Sequence, residues 1–236
     1  MQTSRLRLGV ALLLGQGLLA ACVSLGGGAD APRQVQVTSD QVTITGPRGF
    51  CVDPTATRNA GDTGFVLLGN CAAISGSARA GQPEVQAVLT AAVSAPSGGA
   101  GLTENLGALE AFFRSEDGRA LLSRSGDASS VEILDTRVQA GMFLLHARDT
   151  SAGDVVGVAS DYWRVYMDIG PRLATLSVLA LEDAAVSDAA ALATLTQFAA
   201  AVQGANPAIG AADLPQGVNE ELTPPFRQGL FRRIFQ

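Results

Sequence analysis

The sequence contains no lysine: all sixteen of its basic residues are arginine. Schiff-base chemistry, the lysine of a phosphate-binding loop and a Ser-x-x-Lys catalytic pair are therefore excluded. Imidazole is almost as scarce, with one histidine in 236 residues, and there are only three cysteines. A metal centre built on Cys and His is not expected from so few ligands, and no cofactor is implied. Charged residues make up 16% of the chain and aromatic residues 5%, against 47% hydrophobic. That balance excludes a disordered chain, a collagen-like repeat and a multi-pass membrane protein, leaving soluble globular structure. A formal net charge of -6 argues against nucleic acid as a partner, because binding it requires a basic surface that releases phosphate counterions.

What is present begins with an export-type segment. Arg5 and Arg7 supply a positive start, and Leu8 to Leu19 is uncharged and apolar apart from Gln16, too short to span a bilayer permanently. It ends in Leu19-Ala20-Ala21-Cys22, which resembles the bacterial lipobox. The resemblance implies that residues 1–21 are a signal peptide and that Cys22 carries diacylglycerol and an amide-linked acyl chain such as palmitate. The chain would then be a lipoprotein whose membrane contact is its anchor. Val23 and Ser24 follow where an Asp would mark inner-membrane retention, so the same resemblance implies the cell outer membrane, facing the periplasm. Residues 22–33, with Gly26, Gly27 and Gly28, read as a flexible tether with a reach on the order of 20 Å.

With Cys22 assigned to lipid, Cys51 and Cys71 are an even pair in an oxidising compartment, and a disulfide is expected. The rival reading, a metal site, lacks further Cys or His ligands. Residues 34–95 form a β-rich segment, with strands expected at Gln34–Val37, Gln41–Thr45 and Gly64–Leu68 and a longer one, ambiguous with helix, at Val85–Val93. Pro96–Gly101 is the best internal linker, and a second unit spans 102–215. There Leu106–Arg114 has helical spacing, Asp117-Gly118 reads as a turn, and Val131–Val138, Met142–Ala147, Tyr162–Asp168 and Arg172–Leu181 read as an antiparallel meander turning at Gly141 and Gly170-Pro171. Asp188–Gln203 is an Ala-rich helix with Ser187 as N-cap and Gly204 then Pro207 as its stop.

The expected fold class is therefore α+β, an antiparallel sheet covered by helices in a two- or three-layer sandwich, with an N-terminal disulfide-bearing β segment. The element order from Leu106 to Asn206 resembles the PsbP/Mog1-type sandwich of small exported accessory proteins. The stretches Gly49-Phe50-Cys51-Val52-Asp53 and Leu68-Gly69-Asn70-Cys71 resemble lipoproteins of alphaproteobacteria. Neither likeness transfers a catalytic residue.

Four groups of residues are functional candidates. His146, near Arg148 and Asp149, would be the base of a hydrolase, but the chain has no Gly-x-Ser-x-Gly elbow and no free thiol beside it, so a hydrogen-bonded or solvated strand-end histidine is the plainer expectation. Asp149 and Asp168 would be a carboxylate pair only if the fold brought them together. Tyr162, Arg164 and Tyr166 alternate onto one strand face with Asp168, while Trp163, Val165, Met167 and Ile169 take the other. The second face reads as core, and the first as a hydrogen-bonding surface for a ligand or partner, or else as solvated sheet. Finally, residues 216–236 form a basic amphipathic tail in which Phe226, Leu230, Phe231, Ile234 and Phe235 share a helical face with Arg227, Arg232 and Arg233 between them. It reads as packing against the body, contact with a membrane surface or contact with a protein partner. Together these point to a non-enzymatic, lipid-anchored envelope protein acting as an interaction or accessory module with a protein partner. A small-ligand-binding lipoprotein is the second reading and a hydrolase the third.

Overall fold

Alternating apolar side chains build most of the molecule. The computed structural model describes residues 31–97, 101–151 and 157–207, so Cys22, the signal segment and the whole tail from Phe226 to Phe235 lie outside the described residues. In chain order the strands and helices are β1 (Gln34–Val37), β2 (Val42–Thr45), β3 (Phe50–Val52), β4 (Arg58–Asn59), β5 (Gly64–Asn70), α1 (Cys71–Ser75), β6 (Ala87–Val93), α2 (Leu106–Arg114), α3 (Glu116–Leu122), β7 (Val131–Gln139), β8 (Met142–Asp149), β9 (Val158–Ile169), β10 (Arg172–Leu181) and α4 (Asp188–Ala205). No described helix is long and apolar enough to cross a membrane.

The fold is α+β. One antiparallel sheet runs β3-β5-β6-β10-β9-β8-β7, with β4 beside β5, and β1 and β2 form a separate hairpin. The expected meander is its right half. Its turns are the ones that twisted strands require: Ala140 and Gly141 both have positive φ (50° and 76°), and Gly170 (φ 58°) precedes Pro171. The segments 34–95 and 102–215 share this sheet, because β6 pairs with β10 from Ala87↔Ala180 to Val93↔Ala174.

Both faces of the sheet carry helices. On the first face Trp163, Val165, Met167 and Leu176 are buried with Leu68 and Leu89, under the β1–β2 hairpin and α4. Helix α4 forms because Ser187 accepts the Ala190 N–H at 3.3 Å and because Leu195, Phe198 and Val202 recur on one stripe, each fully buried. It passes through Gly204, where the sequence suggested a stop, and ends at Asn206. That side chain donates to Val202 O (2.7 Å) and Thr43 O (2.8 Å) and accepts the Thr43 N–H (2.8 Å), so it caps the helix and pairs with the hairpin edge at once. On the second face Phe113 of α2 stacks on Tyr166 (ring centroids 4.9 Å) and Phe143 (5.9 Å), beside Leu109 and Leu122.

Two long-range links secure the N-terminal part. Cys51 and Cys71 form the expected disulfide, joining β3 to the start of α1. Closing a loop of 20 residues' separation contributes about 3 kcal/mol by the chain-entropy argument. Arg172, on β10, is buried and donates to Asp40 in the β1–β2 turn (2.7 Å), to Ser94 O (2.8 Å) and to Asp62 O. One guanidinium thus holds the hairpin, the loop before β5 and the end of β6.

Asp117-Gly118 is a helix rather than the expected turn. Ser115 ends α2 and caps α3, its hydroxyl accepting the Gly118 N–H at 3.2 Å, and α3 starts so close to α2 that a Cβ on Gly118 would lie 2.0 Å from Phe112 O. The glycine serves a close backbone approach. Gly118→Ala is expected to force the helices apart, costing about 1–3 kcal/mol and lowering the melting temperature by several degrees. Circular dichroism melts measure this, and an unchanged melting temperature would contradict the close approach.

Candidate functional site

The site residues are arranged by β9, whose neighbours are fixed by register. Arg164 lies opposite Ser177 on β10, Ser177 opposite Thr90 on β6, and Thr90 opposite Leu67 on β5. These four therefore form one row across the second face. Flanking rows run Tyr162, Leu179, Val88 on one side and Tyr166, Thr175, Ala92, Phe65 on the other.

Coverage of this face stops partway. Tyr162 and Tyr166 are 3% and 0% exposed beneath α2 and α3, which corrects the expectation that they belong to an open surface. Period-two alternation is equally compatible with a helix-covered face and a wet one, and here Phe113 and Leu122 supply the cover. The Tyr162 hydroxyl donates to Leu122 O at 3.4 Å. Burial drives the Tyr162 hydroxyl above its ordinary range and pushes the Tyr166 hydroxyl up to about 12, so both remain protonated donors at neutral pH. Past β9 the pattern changes. Along β5 and β6 the residues facing the first core are buried, while Phe65, Leu67, Val88, Thr90 and Ala92 on the second face are only half-buried and belong to neither core.

Arg164 stands at that border. Its Nε donates to Ser177 Oγ at 2.9 Å, its guanidinium lies 4.9 Å from the centre of the Tyr162 ring, and no carboxylate is within ion-pair distance among the described residues. The Tyr166 hydroxyl beside it is fully buried without a hydrogen bond of good geometry. Of the three residues expected to form a binding face, two are thus core and one, Arg164, reaches its edge. Ser177 and Thr90 went unremarked because only cross-strand pairing puts them next to Arg164.

The other candidates have structural surroundings. His146 is neither hydrogen-bonded nor solvated as expected. It is 6% exposed and stacks on Trp163 with ring centroids 4.5 Å apart and planes 11° from parallel, its Nε2 3.9 Å from Asp188 Oδ1. No hydroxyl hydrogen-bonds it among the described residues. Asp149 and Asp168 do not form a pair, because antiparallel pairing of Arg148 with Asp161 sends them to opposite ends of the sheet. Asp168 accepts the Leu102 N–H at 2.8 Å, and burial, with Glu104 nearby, raises its carboxyl. Asp149 is buried and accepts from Arg124 N (2.8 Å), Ser151 N (2.9 Å), Ser151 Oγ (2.7 Å) and Ser130 Oγ (2.9 Å). Burial alone pushes this carboxyl up, but those donors outweigh it and hold the group below the usual carboxylate range.

Comparison with family models, with curated proteins and with solved structures yields no match. Among the described residues no group of three His, Cys, Asp or Glu side chains is placed to hold a metal ion.

The Asp149 arrangement carries a signed pH dependence. A carboxyl held lower in the folded state contributes stability that is complete above its unfolded value of about 3.8 and is lost as pH falls through the folded value. Asp149→Asn is therefore expected to lower stability at pH 7 by about 1–3 kcal/mol, since buried donors lose a charged acceptor, and to flatten the acid limb of the stability curve. Urea unfolding at pH 7 and pH 3 measures both effects. Equal losses at the two pH values would contradict an ionised Asp149.

Proposed function

We propose that this chain is a lipid-anchored protein of the cell envelope, held by Cys22 at the outer membrane and facing the periplasm, and that it acts by binding rather than by catalysis. The observation that carries this reading is the order Arg5, Arg7, an uncharged apolar run and then Leu19-Ala20-Ala21-Cys22, four features of export and lipidation in the right sequence. Two findings support it. The disulfide between Cys51 and Cys71 suits an oxidising compartment. The groups with which a hydrolase would work also have other tasks: His146 stacks on Trp163, Asp149 ties the segment after α3 to β8, and Asp168 caps the turn at Leu102. The anchored domain then offers its partner or ligand the half-covered sheet face and, outside the described residues, the basic segment from Phe226 to Phe235.

Acyl labelling tests the anchor. Cells fed an alkyne palmitate are expected to label the wild-type chain and not Cys22→Ser, and the variant is expected to leave the outer-membrane fraction as soluble or uncleaved precursor. Unchanged fractionation and labelling of Cys22→Ser would sink the lipoprotein reading.

A further inference from the structure

We propose that the half-covered second face of the sheet is a binding site for one anionic amphiphile, a free long-chain carboxylic acid whose carboxylate sits on Arg164 and whose alkyl chain lies over Leu179, Val88, Ala92 and Leu67. The charge argument comes first. Charged groups taken partly out of water are almost always paired. Buried Arg172 pairs with Asp40, and half-buried Arg124 and Arg148 pair with Asp149 and with Asp161 and Glu132, while half-buried Arg119 donates to the carbonyl of Arg114. Arg164 has no such ion pair: it donates to Ser177 Oγ and lies in hydrogen-bond contact with the Tyr166 hydroxyl, which leaves several of its N–H donors unmet, with no carboxylate beside it among the described residues. A second group points the same way: the Tyr166 hydroxyl is fully buried against the Arg164 guanidinium, and no acceptor takes its O–H among the described residues. A carboxylate entering there would accept from both.

The row geometry suits an amphiphile. Hydroxyls of Ser177 and Thr90 continue from Arg164 across the sheet, with apolar side chains on either side, and three strand spacings carry the row about 14 Å to Leu67. Charge number selects the head group. Arg164 is the one cation inside the row, while Arg58, opposite Phe65, stands exposed at the outer edge. A carboxylate brings a single charge, whereas a phosphate head brings nearly two. The chain's own tail is disfavoured as occupant, since Arg227, Arg232 and Arg233 would meet Arg164 with like charge. A flat bilayer is disfavoured because the row holds one arginine only.

The test is equilibrium binding of radiolabelled palmitate to the full chain in a non-ionic detergent. One saturable site per chain is expected. Arg164→Gln is expected to weaken binding at least about tenfold with its melting temperature kept, as loss of a charge-assisted contact requires, and Arg164→Lys to recover part of it. Val88→Glu, which puts a charge in the path of the alkyl chain, is expected to abolish binding without touching Arg164. Hexadecanol and hexadecyl phosphate are expected to compete more weakly than palmitate. Equal binding by wild type and Arg164→Gln overturns the proposal, as does preference for the phosphate or for anionic vesicles. So does an absence of saturable binding by the full chain, and its appearance on removal of residues 208–236 would show the tail to be the occupant. The anchor takes no part in this assay, so its failure leaves the lipoprotein reading standing.

Discussion

Strand β9 has to be buried on both faces, and the remaining elements are placed by that requirement. Trp163, Val165 and Met167 point to one side and Tyr162 and Tyr166 to the other, all of them 3% exposed or less. A strand so rich in large apolar and aromatic side chains gains about 1.5–3 kcal/mol for each one removed from water, but only if an element covers each side. Helix α4 and the β1–β2 hairpin cover the first side, and α2 and α3 the second. The neighbour β8 is buried for the same reason, with one residue of Met142–Asp149 short of full burial.

The two covers differ in extent, and the functional reading follows from the difference. The first is continuous because Arg172 and Asn206 stitch it down, one joining the hairpin turn to the sheet and the other joining the end of α4 to Thr43. The second is short: α2 and α3 together span sixteen residues, and the core beneath them runs from β7 to β9 with Leu173 and Leu179 of β10 at its rim. Five more strands lie beyond β9, and along β5 and β6 the outward side chains are only half-buried. A cation without a counter-ion at this boundary is what a sheet would present to an anionic ligand, and it is the reverse of what a closed core tolerates.

The meander and α4 were legible in the sequence because their signals are local. Val131 to Leu181 alternates between turns that need Gly141 and Gly170, and Ser187 with the Leu195, Phe198, Val202 stripe marks one helix. Trp163 as core and the Cys51–Cys71 pair were legible for similar reasons, one from alternation and one from counting cysteines. What escaped depends on pairs distant in sequence. The insertion of β6 between β5 and β10, the buried contact of Arg172 with Asp40 at a separation of 132 residues, and the Arg164–Ser177–Thr90–Leu67 row leave no periodic trace. The Tyr162 and Tyr166 face was misjudged because its cover, Leu106–Arg114, was recognised as a helix while its docking position was not. Gly118 was misread for a different reason, since the same residue serves a turn and a close helix crossing.

Hydroxyl-radical footprinting of the full chain bears most directly on the unequal covering of the sheet. Phe65 and Leu67 are expected to oxidise readily, while Phe143 and Tyr166, on the same face under α2 and α3, and Phe113 of α2 above them, are expected to be protected until the protein unfolds. Protection of Phe65 and Leu67 equal to that of Phe143 would contradict the account, because the β5–β6–β10 half would then be as closed as the rest and Arg164 would face no opening.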